Sequence, residues 1–305
     1  MTDSRKIWID GNLVDWEDAK IHILTHALHY ATAVFEGIRC YDTVNGPAIF
    51  RMSDHIKRLL NSGKVYHMNF EYSGEEIELA IIETIKANKV TECYIRPIAY
   101  YGYGKMGVNP LPNKVSLGIA LWHWDEYLSQ SPGEQGVKAI ISSWVKIDTR
   151  SLPVLAKSTA NYANSALARI EAIKSGVEEA IMLNHNGMVA EGTAENVFIV
   201  SNNTLMTPPV TAGALEGITR STILEIAKNK GIEFRICDIS REEMYVADEV
   251  FLTGTAAEIK AVTEIDRLRI SDGRIGNLTL KLQMDYRDVV HGRNKMFDRW
   301  LTYIK

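Results

Sequence analysis

The amino-acid sequence predicts an α+β protein of two domains, and three observations lead there. The chain has 305 residues, more than one hydrophobic core usually serves. Strand-like and helix-like stretches are mixed without the regular alternation of a parallel βαβ fold. Between Asp125 and Gly136 the pattern collapses into Tyr-Leu-Ser-Gln-Ser-Pro-Gly-Glu-Gln-Gly, a turn-rich segment suited to a linker. The expected division is a smaller N-terminal domain over 1–124, a linker over 125–136 and a larger C-terminal domain over 137–305.

The elements follow in order. Ile7-Trp8-Ile9 and Leu13-Val14 flank a turn at Asp10-Gly11-Asn12 and read as a hairpin. His22 to Tyr30 runs into Val34–Tyr41, aromatic and β-branched enough for a strand. Helices are expected over Ser53–Tyr66 and Gly74–Asn88, the second carrying a stripe of Ile77, Ile81, Ile82 and Ile85. Cys93–Arg96 reads as a strand that stops before Pro97, followed by a glycine-rich loop over 102–110 and an apolar strand over Val115–Trp122. Beyond the linker, Val137–Val145 is strand-like, and Ala163, Ala166, Leu167, Ile170 and Ile173 mark an amphipathic helix ending near Gly176. Asn186-Gly187 signals a hairpin turn. A helix starts near Ile218 and ends before Gly231, and Ser240 with Glu243 forms a capping-box pattern. Glu249–Thr253 is a strand feeding the Gly254 turn.

Composition narrows the function classes. A net charge of -4 leaves no electrostatic footprint for nucleic acid or an acidic membrane surface. No run approaches the ~20 apolar residues of a transmembrane helix, and the first residues lack the apolar core of a signal peptide. Cys40, Cys93 and Cys237 form neither a CxxC motif nor an even-numbered framework, which points to reduced thiols in the cytoplasm and away from zinc.

Lys157 is the position that carries most chemistry. It lies in Leu-Ala-Lys-Ser-Thr-Ala-Asn-Tyr, at the mouth of a helix, where a desolvated amine is a nucleophile; a solvated surface lysine reads the same locally. Glu191, at a hairpin end, reads equally as a carboxylate in water or as the partner of a pyridinium nitrogen. Gly217-Ile218-Thr219-Arg220 opens a helix whose N–H groups suit a phosphate, or are simply capped by Thr219. Gly254-Thr255-Ala256 lets a ligand approach the backbone, or is an ordinary turn. The glycine loop matches neither GxGxxG after a strand nor GxxxxGK[ST]. His22, His26 and His29 follow no ligand spacing and are better read as core or hydrogen-bonded histidines than as a metal site.

Taken together and in order, His26-Ala-Leu-His-Tyr30, Val34-Phe-Glu-Gly-Ile-Arg39, Tyr94-Ile-Arg-Pro97, Gly107-Val-Asn-Pro110, Lys157 through Tyr162, Glu191-Gly-Thr-Ala-Glu-Asn196, Gly217-Ile-Thr-Arg220 and Gly254-Thr-Ala-Ala-Glu258 resemble the branched-chain amino acid aminotransferases, class IV pyridoxal phosphate enzymes. The resemblance covers essentially the whole chain. It implies the two-domain fold type IV, or D-amino acid aminotransferase-like, architecture. It further implies ping-pong transamination between leucine, isoleucine or valine and 2-oxoglutarate through a Schiff base on Lys157, with pyridoxal 5'-phosphate as cofactor and no metal. By the same resemblance Lys157 is the catalytic amine, Glu191 the partner of the ring nitrogen, Tyr162 of the ring O3′, and Leu215 the packing on the ring face. Arg58, Ile218, Thr219 and Thr255 match the phosphate cradle. Thr255, Ala256, Tyr94 and Arg96 match groups that meet substrate carboxylates, and Phe35, Tyr30, Tyr127 and Trp124 match the walls of the side-chain pocket. Tyr30, Met106 and Val108 would reach in from a neighbouring subunit, making a homodimer the minimal active unit, alone or within a larger homo-oligomer. The same fold hosts D-amino acid aminotransferases, (R)-selective amine transaminases and aminodeoxychorismate lyases; Tyr-Ile-Arg-Pro with Phe-Glu-Gly-Ile-Arg favours the branched-chain group.

Overall fold

The structure is a computed structural model describing residues 6–123 and 136–304. Trp124, Tyr127 and the expected linker up to residue 135 lie outside the described residues. The chain forms two compact units, residues 6–123, 156–160 and 288–304 in one, and residues 136–155 and 161–287 in the other. A single cut at 125–136 therefore does not describe the division. The tail belongs to the first unit because its strand Leu301–Tyr303 pairs antiparallel with Gly46–Phe50. Such a pairing spans most of the chain and leaves no local signal.

In the first unit, eight strands form one antiparallel sheet among the described residues, ordered Leu301–Tyr303, Gly46–Phe50, Ile38–Thr43, Cys93–Tyr101, Val115–Trp122, Lys6–Ile9, Asn12–Asp15, with Ala33–Phe35 also alongside Cys93–Tyr101. The helices Met52–Val65 and Gly74–Asn88 bury Ile56, Leu59, Ile77, Ile81 and Ile85 against Ile38, Ile49, Ile95 and Leu121. The second helix begins at a reciprocal capping box between Ser73 and Glu76.

Two departures from the sequence expectation shape the site. The strand expected over Val34–Tyr41 is broken at Glu36-Gly37 into Ala33–Phe35 and Ile38–Thr43. Gly37 permits the break, since any Cβ there would collide with the Tyr94 hydroxyl. The strand from Cys93 does not stop at Pro97 but runs on to Tyr101. The Pro97 carbonyl accepts the Glu36 N–H at 2.9 Å. The missing proline N–H would lie on that same edge, opposite the break, so the ladder tolerates it.

In the second unit, a nine-stranded sheet among the described residues is ordered Val189–Gly192, Glu179–Leu183, Val137–Ile141, Glu258–Ile265, Glu249–Gly254, Asn196–Ser201, Thr204–Thr207, Phe234–Ile236, with Leu268–Arg269 off its edge. It mixes parallel and antiparallel pairs, as an α+β fold allows. The strand expected over Val137–Val145 ends at Ile141. The hairpin at Asn186-Gly187 forms, with Gly187 at φ 77°. The helix Thr159–Lys174 buries a different face from the expected one: Asn161, Ser165, Ala168 and Ala172 are covered, whereas Leu167, Ile170 and Ile173 are exposed. Small side chains let that helix sit close on Ala180 and Met182, and close approach decided the face over hydrophobicity.

Candidate active site

The first unit assembles a cationic cluster around Lys157. Its backbone is fixed from both sides: the carbonyl accepts the Phe35 N–H at 2.9 Å and the N–H donates to Ser62 Oγ at 3.0 Å. Ser158 next to it bridges to Val34 and accepts the Tyr66 hydroxyl at 2.9 Å. The amine stands 5.0 Å from the centroid of the Phe35 ring. Burial lowers its pKa, and the guanidiniums of Arg58 and, more weakly, Arg96 lower it further; Glu36 and Tyr94 act the other way, leaving it at about 8. With that value roughly one amine in ten is neutral at pH 7, enough to attack an aldehyde.

Arg58 does not stand alone. Its Nε and Nη2 donate to the two oxygens of Glu36 at 2.6 and 2.9 Å, and His55 Nδ1 shares Glu36 Oε2 at 2.7 Å. Burial by itself would raise Glu36, but Arg58 and then His55 outweigh it and hold the carboxyl well below the usual range. Burial lowers His55, so its imidazole is neutral near pH 7. Arg96 lies among three aromatic rings, 4.8 Å from Phe35, 5.4 Å from Tyr94 and 5.3 Å from Trp122. Among the described residues its Nε is buried without a hydrogen-bond partner, and its Nη2 reaches the Tyr94 hydroxyl only at 3.5 Å. A guanidinium held by ring faces and short of acceptors is suited to an incoming carboxylate.

The second unit builds an anchored carboxylate and a helix start without a side-chain cap. Glu191 sits at a β-bulge, a device that re-aims a side chain. Its Oε1 pairs with Lys146 Nζ at 2.5 Å, and its Oε2 accepts the Leu215 N–H at 2.9 Å and Asn196 Nδ2 at 3.3 Å. Asn196 Nδ2 also donates to the Leu215 carbonyl at 2.9 Å. The water-exposed reading of Glu191 is thereby excluded, since its side chain is 9% exposed. The helix Ile218–Asn229 starts at Gly217 with no side-chain cap, and Thr219 in its first turn is buried. Gly217 cannot carry a Cβ because Asn196 Oδ1 occupies that space. Arg220 is buried and turned from the helix start, donating to Thr207 Oγ1 at 3.1 Å and the Pro208 carbonyl at 2.9 Å. At the other turn, Thr253 Oγ1 is buried without a partner among the described residues just before Gly254, with Thr255 and Ala256 partly buried beyond it. An uncapped helix start and an orphaned hydroxyl are what a phosphate would satisfy.

The structure thus brings Lys157, Arg58, Phe35, Tyr94 and Arg96 together in one unit, and Glu191 with Leu215 in the other. Tyr162 is partly buried near the start of the helix Thr159–Lys174. Tyr30 is exposed, its ring tilted by 35° to that of His26 with the centroids 4.5 Å apart. His26 is buried and bonded to Thr32 Oγ1 at 2.8 Å and the Gly107 carbonyl at 2.7 Å; His22 and His29 bond locally to Leu24 and Ile23. Sequence reasoning missed Glu36, His55, Lys146 and Asn196 as site residues. Glu36 and Asn196 stood inside motifs already singled out, but Lys146 carried no local signal.

A family model described as Amino-transferase class IV matches residues 33–265. The branched-chain-amino-acid aminotransferase of Pseudomonas aeruginosa strain PAO1 is 44% identical over 98% of this chain and 97% of its own length. The crystal structure of the Escherichia coli branched-chain amino acid aminotransferase is similar at a TM-score of 0.97 and 42% identity, covering 99% of this chain and 100% of that one. The branched-chain amino acid aminotransferase from Thermobaculum terrenum, solved in its PLP-form, is similar at a TM-score of 0.93 and 36% identity, covering 100% of each chain.

Proposed function

The chain belongs to the class IV amino-transferase family, and from that premise we propose that it moves amino groups between branched-chain L-amino acids and 2-oxoglutarate with pyridoxal 5'-phosphate. When bound, that cofactor supplies an aldehyde that takes up the amino group and a ring that draws electrons from the substrate's Cα. The residues here fit it: a nucleophilic amine, a buried carboxylate, and an uncapped helix start beside a threonine.

Lys157 would anchor the cofactor, and its amine would move the proton from the substrate's Cα. Glu191, fixed by Lys146, Leu215 and Asn196, would hold the ring nitrogen. Tyr162 would donate to the ring oxygen and Leu215 would pack on the ring. Arg58, Ile218, Thr219 and Thr255 hold the phosphate, Ile218 through its backbone N–H. The Thr255 and Ala256 N–H groups and Tyr94 orient the α-carboxylate. Arg96 takes the distal carboxylate of glutamate; its ring surroundings, with Phe35, suit an apolar side chain as well. Tyr30 would line the pocket wall; Trp124 and Tyr127, given the same role by resemblance alone, lie outside the described residues.

The observation that carries this reading is the placement of Lys157, its backbone fixed by Phe35 and Ser62 and its amine 5.0 Å from the Phe35 ring, where burial and then the charge of Arg58 lower the amine to about 8. Reconstitution with pyridoxal 5'-phosphate, borohydride reduction and peptide mapping test it. The label is expected on Lys157, with L-leucine converting the cofactor to its amino form; a label elsewhere, or no response to leucine, rejects the assignment.

A homodimer as minimal unit is part of the proposal. In the first unit Ile23 is 73% exposed, Tyr103 60% and Val108 82%, with Leu28 and Leu111 also uncovered. His26 ties these two segments into one surface through Gly102 and Gly107. Such an apolar area calls for a protein partner, and a second copy would receive Tyr30, Met106 and Val108 from it. Among the described residues no helix is long and apolar enough to cross a membrane. A cytoplasmic location agrees with three cysteines that are all free thiols.

A further inference from the structure

We propose that Glu36 is a positioning residue of this site: it sets the plane of the Arg58 guanidinium and balances the positive charges that face the Lys157 amine. The inference rests on the reading of Lys157 and Arg58 given above.

Glu36 is fully buried, at the break between the strands Ala33–Phe35 and Ile38–Thr43. A buried carboxylate is costly unless paired and hydrogen-bonded. Here it receives two parallel bonds from Arg58, one from His55, and the Gly37 N–H at 3.3 Å. Two-point attachment defines the orientation of a planar guanidinium, which a single bond does not. Because burial keeps His55 neutral near pH 7, it orients Glu36 without cancelling its charge. The negative charge is left to act on Arg58 and on Lys157.

Lys157 lies beside the residue that precedes Glu36: its carbonyl accepts the Phe35 N–H at 2.9 Å and its amine stands 5.0 Å from the Phe35 ring centroid. The groups that face this amine come from three elements: Arg58 and His55 from the helix Met52–Val65, Tyr94 and Arg96 from the strand Cys93–Tyr101, and Glu36 from the break. Arg58 and Arg96 favour the neutral amine, and Glu36 opposes them. Without Glu36, two guanidiniums would act on Lys157 unopposed by a carboxylate from this cluster. The break at Glu36-Gly37 thus places one carboxylate where it governs both the phosphate arm and the nucleophile.

The test separates charge from geometry. In the cofactor-free protein, competitive acetylation followed across pH, read at the Lys157 peptide, measures the titration of the amine directly. Glu36→Gln should move the Lys157 midpoint down from about 8 by about one pH unit or more, and weaken pyridoxal 5'-phosphate binding roughly tenfold through the misoriented Arg58. Glu36→Asp keeps the charge but is too short for the fork, so the midpoint should stay near the parent's while cofactor affinity still falls. An unmoved midpoint in Glu36→Gln, or parental affinity in Glu36→Asp, overturns the proposal. Should Glu36→Gln fail to fold, the affinity of Glu36→Asp decides alone. Failure of the underlying reading is distinguishable, because the parent protein would then not be trapped by borohydride at Lys157.

Discussion

Replacing Lys146 with methionine isolates the energetics of the Glu191 anchor. The two side chains are 2.5 Å apart and only 7% and 9% exposed, so neither can turn to water. Methionine fills nearly the same volume and leaves Glu191 as a buried charge without its cation. Breaking such a pair from one side costs about 3–5 kcal/mol. Glu191 keeps the Leu215 N–H at 2.9 Å and Asn196 Nδ2 at 3.3 Å, which offset part of the loss, so the low end, about 3 kcal/mol, is expected. At about 2–4 °C per kcal/mol for a unit of this size, the thermal midpoint of the cofactor-free protein should fall by about 6–12 °C. Calorimetry of four proteins closes the cycle: parent, Lys146→Met, Glu191→Gln and the double variant. The double variant buries no charge and should recover much of the loss, giving a favourable coupling energy. A Lys146→Met midpoint within about 1 °C of the parent, or a double variant no better than the single, refutes the argument.

Three further outcomes are expected. Arg96→Ala should lower kcat/KM for 2-oxoglutarate by roughly 10- to 100-fold, the worth of about 1.5–3 kcal/mol for hydrogen bonds to a charged group, with leucine use much less affected; equal losses would remove Arg96 from the distal-carboxylate role. Capture of pyridoxal 5'-phosphate by the cofactor-free protein should accelerate with rising pH and level off above about 8 as the Lys157 ammonium loses its proton, measured by stopped-flow absorbance; a flat profile between pH 6 and 9 (a range of roughly three units around that midpoint) contradicts it. Burial, and then the charge of Glu179, raise the pKa of Glu195 well above its ordinary value. A carboxyl whose folded pKa is raised contributes its stability below the unfolded value of about 4.3 and loses it as pH climbs through the folded value. Glu195→Gln, fixed in the neutral form, should therefore gain on the parent as pH rises from 5 towards 8 (roughly the window above the unfolded value), seen as diverging melting curves; parallel curves would show that Glu195 does not titrate in that window.

How much of this was legible follows from what sets each feature. The helices Met52–Val65 and Gly74–Asn88 and the hairpin at Gly187 answer to local rules, periodicity, capping and turn chemistry, and they appear where those rules put them. The helix Thr159–Lys174 obeyed a different constraint. Its apolar stripe stays outside because Ala168 and Ala172 allow the closer approach to the sheet, and no periodicity encodes which face a neighbour selects. The strand through Pro97 and the break at Glu36-Gly37 were misread for the same reason. Each is tolerable only because the other lies opposite it.

The site divides along the same line. Lys157, Glu191 and Arg96 stand in local motifs that single them out for the proposed ligand contacts, whereas Arg58, in a charged helix that reads locally as a solvated face, is picked out by the resemblance alone. The groups that give these residues their working charge come from elsewhere in the chain: Glu36 for Arg58, separated by 22 positions, and Lys146 for Glu191, on the segment after the strand Val137–Ile141. Desolvation explains these two partners. A carboxylate that stays charged away from water needs a counter-charge within contact distance, so Glu191 and Glu36 each call for a cation that the chemistry itself does not specify. That requirement is predictable in kind from the sequence, but the residue that meets it is decided by the register of strands and the face of a helix. A reading that stops at the proposed ligand-facing residues therefore leaves out Glu36, His55 and Lys146, the ionisable groups that hold Arg58 and Glu191 in place.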